Sequence, residues 1–214
     1  MRFAWPGALL VLASCHPTQT AAVAPIPMPA GAFAEYLARA EASDTLLDFQ
    51  ALRLSYTTTP MYDPYGQRDR DRQDSLFAAL DRDSVAQAAM WADSLLAENP
   101  VTPEGQAAAA YVAELMNDST RADHHRWMAW GLMLSIQHSG AGTEASPFVV
   151  IAVYEEYALA RFLKMERGGV QGLGECGGRA CDNVAFKIPA TGRDTTLYFD
   201  ISIPIAYLDR AFAK

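Results

Sequence analysis

Apolar residues recur at helical spacing over most of the chain and alternate at strand spacing only towards its end. Phe33, Tyr36 and Leu37 fall at i, i+3 and i+4 and predict a first helix. Asp44 is placed to cap a second, with Leu47, Leu52 and Leu54 as its apolar positions. Thr57-Thr58-Thr59-Pro60 ends that stretch, and Asp63-Pro64 with Gly66 marks a turn. Gln67 to Asp74 is a dense charge run that suits a solvated face or a helix start. Leu76, Phe77 and Leu80 then stripe one helix, and Val85, Ala89, Ala92 and Leu96 the next, which stops at Asn99-Pro100. Thr102-Pro103-Glu104 opens another, with Thr as N-cap and Pro at the first helical position. Its face is Ala108, Tyr111, Val112 and Leu115. Thr120 to Asp123 approximates a capping box for a further helix striped by Trp127, Trp130, Met133 and Leu134.

The pattern changes after Ser139-Gly140-Ala141-Gly142. Phe148 to Tyr154 is a continuous apolar, largely β-branched run, read as a strand buried on both faces. Glu155-Glu156-Tyr157 starts a helix with acid at its positive end, running through Leu159 and Phe162 towards Gly168-Gly169. A Gly-rich loop follows. Val184–Ile188 and Leu197–Ile203 alternate as an antiparallel hairpin, and Tyr207 to Phe212 suggests a short terminal helix. The fold class is therefore α+β. Residues 31–139 form an antiparallel helical array, and residues 140–214 a small, mainly antiparallel sheet with one helix packed on it, together one compact domain. The small residues around Ala88 and Ala92 before Pro100 resemble the second helix of a tetratricopeptide repeat.

The N-terminus carries an address. Arg2, the run Leu9-Leu10-Val11-Leu12 and small residues before Cys15 form a secretory signal peptide over residues 1–14. The run is too short to span a bilayer, which needs about 20 residues. Leu12-Ala13-Ser14-Cys15 resembles the lipobox of a bacterial lipoprotein. The resemblance implies cleavage before Cys15 and diacylation of its sulfur, so the protein would meet a membrane through a lipid anchor. His16 stands where an Asp often signals inner-membrane retention, which favours the outer membrane. The prolines of residues 16–30 make that stretch a tether. The chain has 17 Lys and Arg against 25 Asp and Glu, a net charge of −8. Such a balance without basic clusters argues against nucleic acid as a partner.

Candidate chemistry is sparse. Cys176 and Cys181 enclose four residues and can form a disulfide outside the cytoplasm, a staple worth about 2 kcal/mol. A redox pair usually has tighter spacing, and further zinc ligands are not evident. His124 and His125 point about 100° apart on a helix, and His138 lies about 21 Å further along it, so no metal site is expected. No cofactor motif occurs. Glu155 and Glu156 are a possible acid–base pair, although acids in a first helical turn commonly serve the dipole. Tyr62 and Tyr65 sit on a turn rather than a helix face. With Glu155 and Glu156 they are the candidate binding residues.

Several short motifs occur together in order: Tyr62-Asp63-Pro64-Tyr65, Asn99-Pro100-Val101, Leu134-Ser135-Ile136, Phe148-Val149-Val150, Glu155-Glu156-Tyr157 and Tyr198-Phe199-Asp200-Ile201. Over residues 40–205 the chain resembles the exported bacterial family catalogued as domain of unknown function four-nine-one-nine. That resemblance implies an export context and a fold class, and no mechanism. The expectation is a membrane-tethered, non-enzymatic binding or interaction domain of the cell envelope, with an envelope protein or peptide as partner. The alternative is an envelope hydrolase whose carboxylate site, around Glu155, Glu156 and the Tyr62–Tyr65 turn, lacks a known motif.

Overall fold

A computed structural model describes residues 31–213; the expected signal peptide, Cys15 and the tether lie outside them. Helices α1 (Ala32–Glu41), α2 (Phe49–Tyr56), α3 (Gln67–Leu80), α4 (Val85–Glu98), α5 (Pro103–Leu115) and α6 (Ser119–Gln137) come first. Strand β1 (Phe148–Val149) and helix α7 (Val153–Phe162) lead into β2 (Glu166–Cys176), β3 (Arg179–Ile188), β4 (Arg193–Asp200) and a final helix, α8 (Ser202–Phe212). The fold is α+β, as the pattern of periods predicts. Among the described residues no helix is long and apolar enough to cross a membrane.

Consecutive helices from α3 to α6 pack on one another. Small residues set the spacing: Ala79 of α3, Ala88 and Ala92 of α4, and Ala108 and Ala109 of α5 are buried together around Leu76 and Val112. A second cluster joins α1, α2 and α6 through Phe33, Leu52, Tyr56, Met128 and Leu132. Gly131 is required there, because a Cβ would come within 2.3 Å of the Phe49 ring. The third cluster puts Met133 and Ile136 of α6 and Leu159 of α7 against Val184, Phe186 and Phe199 of the sheet.

Strand order is β1-β4-β3-β2, with β2, β3 and β4 antiparallel and β1 parallel to β4. The expected Gly-rich loop is instead β2, paired with β3 from Glu166–Lys187 to Cys176–Arg179. Its turn is Gly177-Gly178, both at positive φ (59° and 80°), which a two-residue hairpin demands. The Cys176–Cys181 disulfide closes this hairpin with a Cα–Cα distance of 5.6 Å, and both cysteines are buried.

Other boundaries also differ from expectation. Asp48, not Asp44, caps α2 by accepting from the Ala51 N–H at 2.9 Å; Asp44 bends back to Leu46 N and Arg39. Asp118 rather than Thr120 caps α6, whereas the charge run from Gln67 is a helix start, one of its two readings, and opens α3. The buried face of α6 is Met128, Leu132 and Ile136, while Trp130 is 58% exposed. Helix α8 begins at Ser202 rather than Tyr207, where the Asp200 carboxylate takes the Ser202 N–H.

The largest departure is the apolar run after Pro147. Only Phe148 and Val149 pair as strand, and Val153 already belongs to α7. The Val150 N–H still donates to the Asp200 carbonyl at 3.3 Å, whereas the backbone of Ile151 is satisfied by side chains. The Ile151 N–H donates to Glu155 Oε2 at 2.8 Å, and the Tyr62 hydroxyl donates to the Ile151 carbonyl at 2.5 Å.

Those contacts belong to one buried polar knot. Arg53 and Glu155 have fully buried side chains, with Nε 3.2 Å from Oε1. Arg53 also donates to Ser135 Oγ (2.7 Å) and the Val149 carbonyl (2.5 Å). Burial raises the Glu155 carboxyl, and Arg53 and the Ile151 N–H pull it back. Removing one partner strands the other charge in the interior. Arg53→Met and Glu155→Gln are each expected to lose ~3–5 kcal/mol in urea denaturation. The double variant Arg53→Met/Glu155→Gln is expected to lose less than the sum of the two single losses.

Candidate functional site

The turn between α2 and α3, the start of α3, the end of α4 and one face of α7 surround a groove of about 910 Å³. The turn is held by Tyr62, whose ring packs edge-on against Tyr56 and Tyr207 while its hydroxyl reaches Ile151. Three residues on, Tyr65 is 41% exposed and lines the groove. Of the predicted binding residues, Tyr65 therefore stands on the groove. Tyr62 and Glu155 are buried beneath it, with Tyr62 also edging a second hollow beside α8.

The groove floor is polar. Asn99 follows α4 and is 2% exposed. Its Nδ2 donates to Asp69 Oδ2 (2.9 Å) and to the Tyr154 hydroxyl oxygen (3.0 Å), while its Oδ1 has no partner among the described residues. Arg72 pairs with Asp69 only at long range. Its two terminal nitrogens fork onto Glu98 at 3.0 and 2.5 Å, and its nearest approach to Asp69 is 4.0 Å. Burial therefore raises the Asp69 carboxyl, with Asn99 and Arg72 opposing. Burial also raises the Tyr154 hydroxyl well above its usual range, so it stays protonated. At one end Arg161 grips Glu104.

Behind the groove lies a second acid pair. Glu156 is fully buried and Asp182 of β3 is 7% exposed. Gln171 Nε2 bridges them, 2.6 Å from Asp182 Oδ2 and 3.4 Å from Glu156 Oε2, and Tyr157 donates to Gln171 Oε1 at 2.5 Å. Burial first, and then the neighbouring Asp182 charge, push Glu156 up to about 9. Glu156 is therefore a neutral acid at pH 7. Glu156 stands out in the sequence without its partner. The available signal was Asp182 itself, an acid in the inward register shared with Val184 and Phe186.

The family model described as Domain of unknown function (DUF4919) matches residues 31–210. The chain belongs to that family. No curated protein and no solved structure matches it. In this DUF4919 chain the adjacent histidines are tied into the helices. His124 Nδ1 meets Ser43 Oγ at 3.0 Å. His125 Nδ1 meets Gln106 Oε1 at 2.7 Å, and its Nε2 accepts from Arg121. Among the described residues no group of three or more His, Cys, Asp or Glu is arranged to hold a metal.

The acid pair gives the DUF4919 domain a testable pH response. A folded-state pKa near 9, above the ordinary carboxyl value, means that the native state holds an extra proton between those values. The contribution is full below the unfolded pKa and is lost as pH rises to about 9. Urea denaturation from pH 5 to 9 is expected to show falling stability, and Glu156→Gln to flatten that fall.

Proposed function

We propose that this protein is a membrane-tethered binding domain of the bacterial cell envelope, working without catalysis, with the groove beside Tyr65 as its ligand site. The observation that carries the reading is the floor of that groove. Asn99 is buried, yet its Oδ1 has no partner among the described residues, and it lines the groove together with Tyr65 and Tyr154. A buried acceptor without a donor costs about 1–3 kcal/mol, which a ligand donor would recover. The signal and Cys15 support export and lipid anchoring. Glu156, a carboxyl that burial pushes up to about 9, argues for binding rather than turnover. Unlike Asn99, it does not line the groove.

The envelope-hydrolase reading keeps one supporting observation, the raised carboxyl of Asp69 on the groove floor. Turnover of envelope material abolished by Asp69→Asn would favour it over binding.

Nuclear magnetic resonance with a panel of amines, sugars and short peptides is expected to shift resonances of Tyr65, Asn99 and Tyr154 together. Tyr65→Ala is expected to weaken the bound member about fivefold, the loss of ~1 kcal/mol of aromatic contact. Shifts confined to other surfaces, or none, would refute the site. Mass spectrometry of the mature protein is expected to find a diacylated Cys15 at its N-terminus. An unmodified Cys15 or cleavage elsewhere would refute the anchor.

A further inference from the structure

The groove floor holds more acceptors than donors. Asn99 Oδ1 has no donor among the described residues. Among the described residues Asp69 accepts a hydrogen bond only from the Asn99 N–H, and Arg72, engaged by Glu98 and Ser94, comes no nearer than 4.0 Å. The Tyr154 oxygen already accepts from Asn99. Charge leans the same way. Asp63 and Asp74 stand on the walls, while Arg161 is tied to Glu104 and Arg70 lies exposed on the rim. Three aromatic side chains of the groove lining remain for a ligand, Tyr65, Phe77 and Tyr154, since Tyr157 already carries Arg167 5.5 Å from its ring centre.

We infer that the groove binds the ammonium end of a cationic amine, which donates to Asn99 Oδ1 and Asp69 and lies against the rings of Tyr65 and Tyr154. An ammonium suits this floor because it is a compact cation with three donors and no acceptor. A neutral sugar brings hydroxyls that need donors as well as acceptors, and this floor has few donors to give. The inference rests on the groove being the ligand site and adds the class of ligand.

The test titrates the purified domain with spermidine, n-butylammonium and N-acetylglucosamine at low salt and pH 7.5, read by amide and side-chain resonances. Both amines are expected to shift Asn99 and Asp69 saturably, and the sugar to leave them unmoved. Asp69→Asn, nearly the same shape, is expected to weaken amine binding tenfold or more with an unchanged circular dichroism spectrum. If that variant fails to fold, Tyr65→Ala at an exposed site supplies the comparison and is expected to weaken both amines. Affinity is expected to fall as pH drops and Asp69 takes up its proton. Full-strength binding by Asp69→Asn, or amine shifts spread evenly over all surface acids, would overturn the inference. Saturable binding of the sugar in the groove without the amines would overturn it while leaving the groove reading intact. Silence of the groove towards every probe would remove both.

Discussion

The buried pair of Arg53 and Glu155 sets the geometry of everything around it. Its desolvation is costly, and the arrangement persists because each charge has further partners: Ser135 and Val149 for the arginine, the Ile151 N–H for the carboxylate. Those partners come from α2, α6, β1 and the entry to α7. One ion pair thus joins the helical array to the sheet region.

Fixing Glu155 also fixes the rotation of α7, and consecutive helical positions point about 100° apart. Tyr154 consequently faces the groove floor and meets Asn99. Glu156 turns to the sheet and meets Asp182 and Gln171. Tyr157 points to Gln171 and to the far wall of the groove. Four successive residues serve the core, the acid pair and the groove because one of them is locked. A rotation of this helix would disturb all three places together.

What the sequence revealed followed from local chemistry. Thr102 and Pro103 announced α5 because capping and a fixed proline φ act within one turn. The small-residue faces of α4 and α5 were readable for the same reason. Asp44 was mistaken for a cap because both it and Asp48 precede apolar positions, and only the contact with Arg39 separates their roles. Strand β2 escaped because its glycines lower strand propensity, and pairing with β3 overrides that preference. Glu155 looked like a helix-dipole acid because its partner lies far away in the sequence. The groove was half legible: Tyr65 was flagged by its turn, whereas Asn99 read only as a helix stop.

The parallel pairing of β1 with β4 has a consequence for assembly. A strand at residue 148 finds its neighbour only when residue 199 exists, after β2 and β3 in chain order. A chain emerging amino end first would present α1 to α6 with the Arg53 guanidinium facing an interior that lacks its counter-charge. The helical array by itself is then an incomplete folding unit. Its consolidation awaits the last third of the chain, so the two regions should fold and unfold as one cooperative body.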